Sequence, residues 1–333
     1  MRSLGLLLLQ KTGTLRHAQL VVFLTRIFRP RKKQVLGVTI PNLSECPQTI
    51  DACSNSRATE KLGEFKVPKT SPLATVIVSA FRSEDYLDRF IANLLEQEYI
   101  EQCEVVIVLS DPSLTESSIL RHRLGHLPFI RLIEIKGYLS IYQSWNLAIN
   151  QSSSPYITNM NVDDFRHPQS LAIQISEAYA NNADVVWQDF YLNLDLNWDW
   201  ETIKNAGLRS NLTPPSVSSL SRGVNAPHNA PMWSRKLHTR LGFFDETLTS
   251  GADHDFWIRA AISEAKFYKS AHVHVSYFYN PKGMSTKLGS PSTLEGLGIL
   301  HKYRKQAKFF ASPGKNSTFK DPQRTKNSHS PSA

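Results

Sequence analysis

The chain carries few cysteines: Cys46, Cys53 and Cys103 are the only ones in 333 residues. Their spacing fits neither a zinc site nor a disulfide framework, so reduced thiols and a cytoplasmic setting are expected. Long apolar runs are missing too. No stretch approaches the ~18 residues of a membrane span, which disfavours membrane-embedded synthesis. The apolar run at 4–9 is too short for a signal-peptide core followed by a good cleavage site. Glycine is absent from Ser79-Ala80-Phe81-Arg82-Ser83-Glu84-Asp85, just after the first predicted strand. A nucleotidyltransferase, which would carry a Gly-rich phosphate loop there, is therefore disfavoured.

What the chain does have is positive charge, net +9, gathered towards its ends. Arg26, Arg29, Arg31, Lys32 and Lys33 lie in an N-terminal arm. Lys302, Arg304, Lys305, Lys308, Lys315, Lys320, Arg324 and Lys326 crowd the other end. Basic surfaces attract polyanions. With the middle near balance, nucleic acid is not an expected partner. Residues 15–28 mix apolar and basic side chains. They could lie on an anionic membrane surface, at the inner face of the plasma membrane, or pack on the body. Residues 41–71, rich in Ser, Thr, Asn and Pro, read as a linker. The polar tail beyond Ser312 reads as disordered.

Order begins at Ala74. Residues 74–81 are a short β-branched apolar run, the pattern of a buried parallel strand. Leu87, Phe90, Ile91, Leu94 and Leu95 then recur at helical spacing within 86–97. A strand follows at 103–111, a helix at 115–124, a strand at 129–135, a helix at 140–152 and a strand at 155–164. This alternation implies a parallel sheet with right-handed crossovers. Ligands of such sheets bind beyond the carboxyl ends of the strands, in the loops after Ser79, Leu109 and Met160. Further on, the sequence predicts a helix at 170–183 and a single strand at 183–192. Residues 195–230 are loop-rich. A short helix is expected at 232–242, a longer one at 254–265, a strand at 271–279 and a last helix at 294–310.

Asn161, Asp163 and Asp164 stand at the end of the fourth strand. Clustered carboxylates repel one another unless something positive joins them. A hard divalent cation shared with substrate phosphates is one answer. Capping of the next helix near His167-Pro168 is the other. Asp111 ends the second strand, where it either accepts hydrogen bonds from a nucleoside or forms a turn before Pro112. Asp253 and Asp255 open a helix. One is expected at the N-cap, and the other can face a cleft as a general base. His228, His238, His254, His272 and His274 read as ordinary histidines, although His272 and His274 would share one face of a strand.

Residues 74–288 resemble the family 2 glycosyltransferases of GT-A fold. Val-Ile-Val-Ser-Ala-Phe-Arg at 76–82 is similar to the family's first strand and turn. Val-Val-Ile-Val-Leu-Ser-Asp at 105–111 is similar to its second strand, with only Asp111 of the usual Asp pair. Asn161-Val162-Asp163-Asp164 stands in place of Asp-x-Asp. Pro231-Met232-Trp233, Gly242-Phe243-Phe244-Asp245-Glu246, Asp253-His254-Asp255-Phe256-Trp257-Ile258-Arg259 and Tyr279-Asn280-Pro281-Lys282-Gly283 resemble a subgroup pattern.

The resemblance implies an α/β fold: a Rossmann-like, mostly parallel sheet flanked by helices, with flexible basic extensions. Residues 1–72 would be the arm and linker, 73–310 the catalytic domain and 311–333 the tail. Within the domain, 73–165 would form the nucleotide half and 166–310 the acceptor half. It implies an inverting transfer from a nucleotide-diphosphate sugar to an acceptor hydroxyl, of a glycan or a lipid-linked compound, in cell-surface or exopolysaccharide assembly. Ser79, Phe81, Asp111, Asn146, Asn161 and Asp163 would hold the nucleotide sugar, and Asp163 would bind Mn²⁺ or Mg²⁺. Asp253 would be the base. Trp233, Asp255, Trp257 and Arg259 would be structural or lie on the acceptor side. The departures at Arg82, Ser110 and Asn161 leave open a catalytically weak domain that binds a sugar nucleotide or a partner glycosyltransferase.

Overall fold

A computed structural model describes residues 72–224, 226–280, 283, 286 and 292–310. The expected N-terminal arm, linker and polar tail lie outside the described residues. Four strands form the regular part: β1 (Ala74–Ala80), β2 (Glu104–Ser110), β3 (Ile130–Ile135) and β4 (Tyr156–Asn159). They pair in parallel in the order β3-β2-β1-β4. The connections are α1 (Glu84–Leu95), α2 (Leu114–Leu124) and α3 (Ile141–Asn150).

The apolar runs of β1 and β2 are continuous because both faces of the sheet are covered. Val76, Val78 and Ala80 point into one core with Leu87, Phe90, Leu94 and Leu120 of α1 and α2. Ile77, Val106 and Val108 point into the opposite core with Trp145 and Ile149 of α3. Fully burying a large aliphatic or aromatic side chain stabilises by about 1.5–3 kcal/mol. Two helices are capped where they leave the carboxyl edge. Ser113 accepts the Glu116 N–H at the start of α2, and Ser140 with Gln143 forms a capping box at the start of α3. Each cap satisfies backbone donors that lack an intrahelical partner.

Beyond β4 come β5 (Phe165–Arg166), α4 (Ser170–Asn181), β6 (Val185–Trp187), β7 (Tyr191–Asn193), α5 (Trp200–Asn205) and α6 (Val217–Leu220). Then follow β8 (Met232–Ser234), α7 (Lys236–Leu241), α8 (Ala252–Ile262), β9 (Phe267–Lys269), β10 (Val275–Phe278) and α9 (Ser292–Phe310). The main sheet runs β3-β2-β1-β4-β8-β6-β9, with β8 antiparallel to both neighbours. A second sheet has the order β5-β10-β7. The expected mostly parallel α/β architecture is the one observed.

Local expectations failed in this half. The run at 183–192 is two strands in different sheets, β6 and β7, separated by the irregular residues 188–190. The stretch at 232–242 is helical only from Lys236. Met232 and Trp233 fill the gap between β4 and β6, and that pairing overrides their helical spacing. β9 was not expected at all; its three residues pair with β6. The strand at 271–279 is shorter than expected, so His272 and His274 precede it. Their rings lie 5.3 Å apart, and His274 stacks on His167 at 4.5 Å.

Candidate active site at the carboxyl edge of the sheet

The loops after β1, β2 and β3 meet at one edge. Phe81, 37% exposed, meets Tyr138 edge to face at 5.0 Å, and the Arg82 guanidinium lies 4.9 Å from the Phe81 ring. Arg82 and Asp111 both adopt positive φ, 49° and 47°, so the chain turns sharply as it leaves each strand. Ser79 is half-buried on β1, and Asp111 is exposed beyond β2. Ser110 stands where the resembling family carries an acid. Its hydroxyl accepts the Leu139 N–H at 2.6 Å and contacts the Leu139 carbonyl at 3.2 Å, joining the loops after β2 and β3. Tyr138 was not foreseen; its place in the loop after β3, beside Gly137, is the signal that could have marked it.

After β4 the chain presents two carboxylates with very different surroundings. Asp164 is buried and accepts from Asn161 Nδ2 at 2.8 Å and from the Phe278 N–H at 2.9 Å. Among the described residues, no other residue donates to the Asp163 carboxylate. Burial raises the Asp163 pKa; burial and then the Asp163 charge raise that of Asp164. Two cations neighbour Asp164: half-buried Arg89, and Arg166, which is buried and held down to about 10 by that burial. The Arg166 guanidinium donates to Gln174 at 3.0 Å, to Thr158 at 2.9 Å and to the Asn159 carbonyl. The helix-capping alternative does not hold, since α4 begins at Ser170 behind Gln169. Asn161 supports Asp164, and its Oδ1 accepts from Asn159 at 3.3 Å. Tyr86, also unforeseen, is raised by burial and then by Asp163, and its hydroxyl accepts from Asn280 Nδ2 at 3.3 Å.

Asp253 lies in the first turn of α8. Neither it nor Asp255 is the N-cap, contrary to expectation; Gly251 is. Asp253 Oδ1 accepts the Tyr142 hydroxyl at 3.0 Å and the His254 N–H at 2.8 Å. Among the described residues no other residue donates to its Oδ2. Burial raises the Asp253 pKa, and burial with the Asp253 charge raises Tyr142 well above its ordinary value. Tyr142 belongs to the first turn of α3, which starts at the carboxyl end of β3. Asp253 therefore lies at the same edge of the sheet as the residues after β4. The sequence reading missed Tyr142.

Five further residues singled out in the sequence are engaged within the protein itself. Asn146 is buried; its amide donates to the Phe244 carbonyl at 2.9 Å and to Glu246 at 2.8 Å, and accepts the Phe244 N–H at 3.1 Å. These bonds fasten α3 to the 243–246 loop. Trp233 and Trp257 pack on each other at 5.7 Å inside the core, where side chains of that size bury themselves for apolar contact. Asp255, 1% exposed, accepts from Arg259 at 2.7 Å, Lys302 at 2.8 Å and Tyr303 at 2.8 Å. Arg259 also donates to the carbonyls of Leu241 and Phe243.

Among the described residues no group of three or more His, Cys, Asp or Glu could hold a metal ion by itself. The oxygen donors that could take part in holding one are half-buried Asp163, to which no other described residue donates, and its buried neighbour Asp164. Mg²⁺-like ions are commonly held by one or two carboxylates together with substrate phosphates.

A seven-stranded, mostly parallel sheet flanked by helices, with acidic loops at its carboxyl edge, defines a GT-A glycosyltransferase domain. The family model described as Glycosyl transferase family 2 matches residues 75–263, more than half of the chain, and the chain belongs to that family. It is 31% identical to an uncharacterized glycosyltransferase of Haemophilus influenzae over 29% of this chain, and spans only 30% of that relative's length. It is 24% identical to an uncharacterized glycosyltransferase of Methanocaldococcus jannaschii, over 59% of this chain and 67% of that one. The fold is similar to S. aureus TarS residues 1–349 in complex with UDP-GlcNAc, at TM-score 0.53 and 15% identity, covering 69% of this chain and 66% of that one. It is also similar to the mannosyltransferase PcManGT of Pyrobaculum calidifontis in complex with GDP-Man and Mn²⁺, at TM-score 0.50 and 16% identity, covering 72% and 65%.

Proposed function

We propose that the protein moves a sugar from a nucleotide-diphosphate donor to an acceptor hydroxyl with inversion at the anomeric carbon. The observation that carries this reading is the pairing of two acidic positions at one sheet edge. One is Asp163 beside buried Asp164, with no other described residue donating to Asp163, and the other is a carboxylate at Asp253 with one oxygen held by Tyr142 and His254. Phe81 with Ser79 and Asp111 binds the nucleotide, and Tyr138 extends the aromatic surface. Asp163, next to Asp164 and its Asn161 partner, would hold Mn²⁺ or Mg²⁺ together with the donor's phosphates. When bound, that ion neutralises charge on the leaving diphosphate.

Asp253 accepts the proton of the acceptor hydroxyl as that oxygen attacks the face opposite the leaving group. One displacement on one face gives inversion, by the geometry that governs inverting hydrolases. Burial favours this proton transfer, because a raised carboxyl pKa brings the base nearer to neutrality. Residues 73–165 serve the donor and 166–310 the acceptor, a glycan or lipid-linked hydroxyl compound of cell-surface or exopolysaccharide assembly. The basic ends suit peripheral contact with an anionic membrane face from the cytoplasm.

A panel of nucleotide sugars screened with and without Mn²⁺ by thermal shift tests the donor reading. A donor at one hundred times its Kd stabilises the folded state by about 2.7 kcal/mol. The reading expects at least one donor to raise Tm only when Mn²⁺ is present. A panel with no stabilising member in either condition would contradict it.

A further inference from the structure

Helix α9 reaches the start of α8 from two directions. Ahead of α8, Glu295 Oε1 accepts the Thr249 N–H at 2.7 Å. Its Oε2 accepts the Ser250 N–H at 2.8 Å and the Ser250 hydroxyl at 3.4 Å. Gly251 supplies no side-chain cap to α8, so this carboxylate from another helix provides the negative charge and acceptors at its lead-in. Past Asp253, the Asp255 carboxylate takes Lys302 and Tyr303 of α9 as well as Arg259. Between these two anchors α9 touches the backbone itself: a Cβ on Gly251 would stand 2.7 Å from Ile299 Cδ1. Ile299 and Tyr303 are buried there. Asp253 thus sits on a short arc fixed at 249–250 and again at 255. The Glu295 charge also acts on Tyr142, the hydroxyl that bonds Asp253.

We propose that Glu295 is a positioning residue for Asp253, so that the base's aim is set by α9 rather than by α8 alone. The proposal rests on Asp253 acting as the base. Glu295 contacts none of the residues assigned to the donor. Its loss therefore lowers kcat and leaves donor KM nearly unchanged, whereas general unfolding would move both. Misplacing a reacting group by about 1 Å costs up to about a hundredfold in rate.

The experiment uses the full chain with Glu295→Ala, Glu295→Gln and, as a control, Asp253→Asn. Hydrogen exchange of the 249–256 amides and steady-state transfer are measured on each. The expected result is faster exchange confined to 249–256 in Glu295→Ala, kcat down about tenfold to a hundredfold and donor KM within about twofold. Glu295→Gln, which keeps one acceptor oxygen, should fall between Glu295→Ala and the parent. Unchanged exchange overturns the anchoring of 249–250 by Glu295, and the positioning role with it. Faster exchange with unchanged kcat, while Asp253→Asn is inactive, overturns positioning but leaves the base assignment standing. An active Asp253→Asn overturns both together. Should Glu295→Ala not fold, Tyr303→Phe removes one Asp255 bond while keeping the ring in the core, and the same exchange and kcat criteria apply to it.

Discussion

The end of β4 and the start of α8 each carry two acidic residues, and in each pair one carboxylate is tied down while the other has a free oxygen. The ties differ in kind. Asp255 is held by two cations and a hydroxyl. Burial alone would raise its pKa, but Lys302, Arg259 and Tyr303 outweigh that and bring it below the ordinary carboxylate range. Asp164 is held by an amide and a backbone N–H, and stays raised. Asp255 is neutralised by side chains of the protein itself, whereas among the described residues no other residue donates to Asp163. A carboxylate with no donor of its own suits a ligand that brings positive charge. A site that is complete suits a side chain that must be held still.

Four results would break or sharpen that contrast. The largest effect belongs to Asp253→Asn, which should lower turnover by about a hundredfold or more, as loss of a general base does, with donor binding preserved. Asp163→Asn should lower turnover by at least about tenfold and abolish the Mn²⁺-dependent rise in Tm with donor. A variant that keeps that rise would show that the β4 pair does not need the ion. Asp255→Ala should cost about 2–3 kcal/mol in denaturant unfolding, because three charged or hydroxyl donors lose a buried acceptor, although Lys302 and Arg259 can partly rehydrate.

The smallest effect concerns pH. The β4 pair is raised in the folded state, so the folded protein binds more protons than the unfolded chain above the ordinary carboxylate pKa. Its contribution to stability is full below that pKa and is lost as pH climbs towards the raised value. The metal-free protein should therefore lose Tm over that window, and Asp164→Asn should flatten the slope. Asp255 has the opposite sign: its contribution is present above the ordinary pKa and is lost as pH falls through its lowered one.

The regular half was legible because periodicity and burial agree there. β1 and β2 are apolar on both faces, and Leu87, Phe90 and Leu94 mark one stripe of α1. The carboxyl-edge rule then led to the loops that carry Asp111 and Asp163, whereas Phe81 came from the family resemblance. The other half was not legible for equally physical reasons. Met232 and Trp233 have helical spacing with Leu237 and Leu241, yet a three-residue gap in a sheet decides their conformation. Asn146 and Asp255 have the residue types of ligand contacts, but their partners, Phe244, Glu246, Lys302 and Tyr303, lie 47 to 100 positions away. No local signal marks such bonds. Tyr142 and Glu295 escaped notice because their meaning comes only from the groups they touch, Asp253 and the Thr249–Ser250 backbone.

The division of labour between the two acidic pairs is tested most directly by measuring donor binding and turnover on Asp253→Asn in the presence of Mn²⁺. Binding within about twofold of the parent protein, with turnover below about one hundredth, is the predicted result. Turnover within about twofold of the parent would contradict the assignment of Asp253 as the base.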